Sequence, residues 1–260
     1  MTASGKSAPR SSPALRIVSL VPSLTELVCE LELAEHLVGR TGFCVHPEDA
    51  LRAIPKVGGT KTVNLEKIRA LAPTHVILNK DENLKETAQA LAGFVPHLVV
   101  THPLHPEDNP ALYRQFGESF GRQAQAEALC ARFDDALRRV KQRAYAARKV
   151  LYLIWKDPWM TVAHDTYISR TLRLFGLHTV PASGLERYPT LPSLDGQDVD
   201  LVLLSSEPYR FAERHRAEVG ALTGRPVLLV DGEMTSWYGP RAIAGLRYLE
   251  DFAARLAGVS

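Results

Sequence analysis

Residues 108–147 read DNPALYRQFGESFGRQAQAEALCARFDDALRRVKQRAYAA, and the reading of this stretch decides the fold. Leu112, Phe116, Phe120, Leu129, Phe133, Leu137 and Val140 recur mostly at helical spacings. Arg132, Arg138, Arg139, Lys141 and Arg143 crowd the second half, where positive charge suits a helix C-terminus. As one helix, residues 108–148 would be roughly 55–60 Å long at the usual rise, beyond the ordinary helix of a compact domain. Gly117 and Gly121 weaken the first turns, each by about 1 kcal/mol against alanine. The pattern alone fits one core helix or two shorter ones. A strand–helix alternation on both sides favours a single strut joining two lobes.

Before the strut, Arg16-Ile17-Val18-Ser19-Leu20 reads as a buried parallel strand, and Ser23 with Glu26 forms the S-x-x-E capping-box pattern. A second strand, Leu37-Val38-Gly39-Arg40, leads into the loop Thr41-Gly42-Phe43-Cys44-Val45-His46-Pro47. Val57-Gly58-Gly59-Thr60 is a glycine turn, and Asn64 caps a helix that ends before Pro73. Val76-Ile77-Leu78, a helix over 84–91 and Leu98-Val99-Val100-Thr101 complete a parallel α/β lobe. After the strut the pattern begins again. Strands are expected at 150–154, 160–163, 201–204 and 227–230, with helices at 167–175 and 241–256. Residues 71–79 and 197–205 form a faint repeat. The chain therefore divides into a tail (1–14), an N-terminal α/β lobe (15–107), the connecting helix (108–148) and a C-terminal α/β lobe (149–260), with a cleft expected between the lobes.

Composition narrows the function. Apolar content of 45% and charged content of 23% are ordinary for a globular chain of 260 residues. A net charge of +2 without basic–aromatic runs gives no reason to expect nucleic acid. No apolar run approaches the 18 or so residues needed to cross a bilayer. Cys29, Cys44 and Cys130 lack C-x-x-C spacing, so neither a disulfide framework nor a zinc site is implied. Residues 1–14 carry Lys6 and Arg10 but no apolar core, which reads as a disordered tail and, as written, a cytoplasmic protein.

Chemistry-bearing residues gather in the loops after the strands. Phe43 and His46 follow one, Trp155 and Trp159 flank another, Tyr188 lies in Arg187-Tyr188-Pro189, and Trp237 with Tyr238 precede the last helix. Such rings either stack on a flat ligand, at about 0.5–1.5 kcal/mol per pair beyond area burial, or cover the edges of a small core. Cys44 and His46 either meet a metal or each other, or stand together by chance. His102 and His105 give an H-x-x-H in an extended, proline-flanked segment. Asp231-Gly232-Glu233 is an acid pair or a capped turn, and Asp165 reads as a helix cap. None of the common catalytic motifs occurs.

Residues 17–27 (IVSLVPSLTEL) and the series Val57-Gly58-Gly59-Thr60, Asn64-Leu65-Glu66-Lys67-Ile68, Leu71-Ala72-Pro73 and Val76-Ile77-Leu78 resemble the class III periplasmic binding proteins. These are the cobalamin- and iron-siderophore-binding components of ABC importers, and the likeness is greatest to the cobalamin branch. It runs from Arg16 to Leu256. The resemblance implies two α/β lobes, one rigid helix between them, a ligand cleft and no catalysis. It implies no intrinsic cofactor and a metal chelate, cobalamin above all, as ligand, with haem or an iron-siderophore complex as the near alternative. The implied ligand-binding residues are Phe43, His46, Thr60, Trp155, Trp159, Tyr188, Trp237 and Tyr238. Thr60 stands where a cobalamin binder presents a tryptophan, and His46 is the candidate axial ligand to a bound metal. A monomer docking on an ABC permease is implied, with departures: Glu86 is one residue off the first docking glutamate, with Lys85 at the matching site, and Pro192 replaces the second. The family role would place the protein in the periplasm or at the cell surface. The rival class is an intracellular enzyme or sensor on the same two-lobe fold.

Overall fold

The computed structural model describes residues 14–181 and 186–256, so almost all of the expected tail lies outside the described residues. The chain divides into two compact units, Met1–Thr25 with Glu32–Thr101, and Glu26–Leu31 with His102–Ser260.

The first unit is built on a four-stranded parallel sheet. In chain order its elements are β1 (Ile17–Ser19), α1 (Pro22–Glu30, whose second half belongs to the second unit), β2 (Leu37–Arg40), α2 (Glu48–Leu51), α3 (Leu65–Ala70), β3 (His75–Asn79), α4 (Lys85–Ala92) and β4 (His97–Thr101). The strand order is β2-β1-β3-β4, every pair parallel. Val18, Leu20, Val57, Ile68, Val76, Leu78 and Leu91 form one buried cluster. Each such side chain contributes about 1.5–3 kcal/mol against exposure. Asn64 caps α3 as expected, its Oδ1 accepting from Lys67 N at 2.9 Å. The capping box at Ser23 does not form. The helix begins at Pro22, two residues before the start that a Ser23 cap would set, and the missing proline N–H is harmless in a first turn. Ser23 is thereby inside the helix, its Oγ buried and without a hydrogen-bond partner among the described residues. Glu26 turns away to an arginine.

The second unit holds α5 (Asn109–Phe120), α6 (Gln123–Lys141), β5 (Arg148–Trp155), β6 (Met160–Thr161), α7 (Tyr167–Arg173), β7 (Leu177–Thr179), β8 (Leu201–Ser205), α8 (Arg214–Thr223), β9 (Val227–Val230), α9 (Gly232–Ser236) and α10 (Arg241–Leu256). Its sheet runs β6-β5-β8-β9, with β7 also on β5. All pairs are parallel except β5–β6, so this lobe is mixed rather than purely parallel. Leu151, Leu153, Val202, Leu204, Phe211 and Val219 lie in its core.

The single strut does not form. Gly121 adopts the left-handed conformation (φ 67°) and ends α5, its N–H bonding to Gly117 O. Glycine enters that region without steric cost. The apolar stripe has no bulky member between Phe120 and Leu129, so nothing rewards continuing the helix across the break. α6 instead folds back on α5. Arg114 forks onto Glu127 (2.6 and 2.9 Å), Lys141 reaches Glu107 at 2.8 Å, and Tyr113 meets Phe133 edge to face at 6.2 Å. Gly117 permits the close approach, since a Cβ there would sit 2.7 Å from that of Ala126. Both helices belong to the second unit.

Candidate functional site

In the first unit, β2 delivers the chain into the loop carrying Phe43 and His46, and the same connection continues to Thr60. Arg40, buried at the strand end, holds this loop from inside, donating to the carbonyls of Leu51 (3.1 Å), Thr41 (3.2 Å) and Cys44 (3.0 Å). Gly58 has φ 115°, and a Cβ there would lie 2.4 Å from Thr62 O, so only glycine fits. Its carbonyl accepts from Gly42 N at 2.8 Å, drawing the two turns together. Phe43 is 63% exposed and lies along Gly59, its Cε2 3.3 Å from where a Cβ would be. His46 and Thr60 are half-buried. Phe43 and the Thr60 turn are thus brought together. Asn83, which the sequence left in an unremarkable polar loop, ties the edge: Nδ2 donates to Leu20 O (3.3 Å) and Thr60 O (3.0 Å), and Oδ1 accepts from Asn79 N (2.8 Å).

Cys44 lies in the core beside Thr25 Oγ1 (3.0 Å) and Thr41 Oγ1 (3.1 Å). Burial pushes its thiol up, which disfavours the thiolate that attack or metal ligation needs. A Cys44–His46 metal or nucleophile pair is therefore corrected to a buried structural thiol and a half-exposed imidazole.

In the second unit, Trp155 is the last residue of β5 and 39% exposed. It meets Tyr209 edge to face at 5.6 Å. Trp159 is half-buried, lies parallel to Phe211 at 6.4 Å, and has Lys156 Nζ 5.6 Å from its centroid. Tyr188 is half-buried with the Arg187 guanidinium 5.9 Å from its ring. Trp237 and Tyr238 are buried, at 9% and 7% exposure. Tyr238 packs edge to face on Tyr167 (5.7 Å), and Trp237 sits under the Arg241 guanidinium (4.9 Å). Rings so enclosed offer little face to a ligand and brace the loop instead. Trp155, Trp159, Tyr209 and Phe211 form one aromatic cluster. The sequence named only the tryptophans, because a tyrosine in Pro208-Tyr209-Arg210 looks like any loop residue.

Charged groups flank Trp237. Glu207 Oε1 accepts from Trp237 Nε1 (2.7 Å) and Ser236 Oγ (2.8 Å). Arg241 forks onto Glu26 (2.9 Å twice) and pairs with Glu233 at 3.0 Å. Asp231 caps α9, accepting from Glu233 N (3.0 Å) and Met234 N (3.3 Å), which resolves the Asp231-Gly232-Glu233 stretch as a capped turn. Thr166, not Asp165, caps α7. Desolvation, with Glu233 and Asp231 nearby, raises the Glu207 carboxyl above its ordinary value despite the two donors. Folded protein then holds that proton more tightly than unfolded protein. The folded state loses stability as pH rises from the ordinary glutamate range through the raised value. Glu207→Gln keeps the acceptor oxygen and removes the charge. Denaturation across pH is expected to show the variant at least as stable as the parent at neutral pH, with the advantage vanishing in acid.

The expected docking positions, Lys85, Glu86 and Pro192, are all exposed, the first two in the opening turn of α4.

Residues 17–195 match the family model described as periplasmic binding protein. A vitamin B12-binding protein of Pectobacterium carotovorum subsp. carotovorum (strain PC1) is 22% identical over 234 residues, 88% of this chain and 84% of that one. Among solved structures, the periplasmic vitamin B12-binding protein of Vibrio cholerae superposes with a TM-score of 0.80 at 18% identity, covering 93% of this chain and 97% of that one. A periplasmic heme-binding protein of Pseudomonas aeruginosa gives 0.77 at 22%, covering 92% of each. At these identities the structural likeness speaks to fold alone.

Proposed function

This chain belongs to the periplasmic binding protein family, and we propose that within it the protein captures cobalamin or a related corrinoid, without turnover, for delivery to an ABC permease. The observation that carries this reading is the exposure of Phe43 and Trp155, at 63% and 39%, the first on the loop after β2 and the second closing β5, at the carboxyl ends of their sheets. Open α/β sheets bind ligands at that edge. A large ring left in water there is available to a broad, partly apolar ligand. Trp159, Tyr188, His46 and Thr60 supply further contacts, and Trp237 and Tyr238 support them. The relatives named for vitamin B12 add weight to the corrinoid. They also favour work in the periplasm or at the cell surface over the cytoplasmic reading of residues 1–14. Glu86 and Lys85 are the first-unit residues to test against a permease.

A second reading, haem or an iron-siderophore complex, rests on His46, whose half-exposed imidazole shares a loop with Phe43. Calorimetric titration with cyanocobalamin, haem and a ferric siderophore separates the two. Cobalamin binding tighter than about 1 µM, roughly −8 kcal/mol, is the expected result. A Soret shift with haem that His46→Ala abolishes, and no heat with cobalamin, would select the second. No binding by any of the three would move the intracellular enzyme or sensor ahead of both.

A further inference from the structure

We infer that His215 and Tyr209 are positioning residues that hold Trp155 in the orientation from which it meets the ligand. None of the eight site residues expected from sequence includes them. The relay starts in the core. His215 is 4% exposed at the start of α8, and its Nδ1 accepts from the backbone N–H of Ala212 at 2.9 Å. Nδ1 also lies 3.2 Å from the Ala212 carbonyl oxygen, so this edge of the ring is held by the backbone, and Nε2 lies 3.4 Å from Tyr209 Oη. The histidine ring also stands edge-on to Tyr209 (5.7 Å) and Phe211 (5.4 Å). Tyr209 is therefore fixed at its hydroxyl by His215 and on its side by Phe211, whose centroid is 4.7 Å away. Its backbone is fixed too, since Tyr209 N donates to Ile154 O at 3.2 Å, the residue before Trp155. Trp155, partly in solvent at the end of β5, rests its side on that immobilised ring.

The consequence is a preset stacking face. A tryptophan 39% exposed at a strand end would lose rotamer freedom on binding, and each such side chain ordered by a ligand weakens the complex. Tyr209 removes that freedom before the ligand arrives. Phe211 extends the same packing to Trp159, so both tryptophans lean on one tyrosine–phenylalanine pair anchored at His215.

The affinity consequence rests on the corrinoid reading, whereas the relay itself is testable without ligand. Fluorotryptophan-labelled protein has three ¹⁹F resonances, one per tryptophan, and Trp155→Phe identifies the one that matters. His215→Gln places an amide near the Nε2 position, and His215→Asn keeps one near Nδ1 but loses the link to Tyr209. Tyr209→Phe keeps the ring without its hydroxyl, and Tyr209→Ala removes both. In ligand-free protein the Trp155 resonance is expected to shift and broaden in Tyr209→Ala, His215→Asn and Tyr209→Phe, and to return toward its parental position in His215→Gln. Cyanocobalamin affinity is expected to fall about 3- to 10-fold in Tyr209→Ala, the worth of one edge-to-face pair. An unmoved Trp155 resonance in Tyr209→Ala and Tyr209→Phe, or identical behaviour of the Gln and Asn variants, overturns the relay. If the parent protein binds no cobalamin while the resonances move as expected, the corrinoid reading fails and the relay stands.

Discussion

Asn109→Ala is expected to destabilise the second unit by about 3 kcal/mol. Asn109 is fully buried at the start of α5 and uses both ends of its amide. Nδ2 donates to Pro106 O (2.8 Å) and Tyr167 Oη (2.9 Å), and Oδ1 accepts from Gly239 N (2.7 Å). Tyr113 Oη donates to the carbonyl of the same glycine at 2.9 Å. Alanine leaves the Gly239 N–H and the Tyr167 phenol to find new partners in a site closed to water, while the Pro106 carbonyl keeps the backbone N–H of residue 109. Each such orphan costs about 1–3 kcal/mol. Asn109→Asp is the discriminating control, since it keeps the acceptor for Gly239 N but loses both amide donors. Urea denaturation followed by tryptophan fluorescence reads this unit directly, because all three tryptophans lie between residues 155 and 237. A midpoint unchanged by Asn109→Ala would show that the loop before α10 is held by something else.

Trp155→Ala is expected to weaken cobalamin binding by about 2–3 kcal/mol, roughly 30- to 150-fold, while lowering stability by less than about 1 kcal/mol. The asymmetry follows from where the ring stands. It is exposed enough to offer its face, and its packing within the unit includes one edge contact, to Tyr209. Trp159→Ala is the contrasting case. That ring packs against the Leu151–Val202–Phe211 core, so its loss is expected to show in the denaturation midpoint as well as in affinity. Titration calorimetry beside denaturation distinguishes them. Unchanged affinity in Trp155→Ala would remove the stacking site from the second unit.

What could be read in the residues themselves depended on how local the cause was. Asn64 capping α3 and the terminal helix over Arg241–Leu256 are decided within a few residues, and each stands where the chain said it would. The clustering of aromatics on strand-end loops was equally visible. Their burial was not. Trp237 and Tyr238 looked like Trp155 in sequence, yet Tyr167, Arg241 and Glu207 enclose them, from positions up to 71 residues away.

Helical periodicity over 108–147 was legible, but its division was not. A glycine mid-pattern is tolerated or terminal depending on whether a partner surface exists, and here Glu127 opposite Arg114 and Ala126 opposite Gly117 supply one. Ser23 and Glu26 matched a capping box, but Arg241, distant in the chain, is a stronger partner for a carboxylate than the weak local cap it displaced.

The sequence by itself determined the alternation of strands and helices and the two α/β units, because periodicity, capping and turn residues act over a few positions, and the family through the resemblance of its motifs. The tertiary structure alone decided which rings are open to a ligand and what holds them. Burial and hydrogen-bond satisfaction are settled by neighbours that only folding brings together.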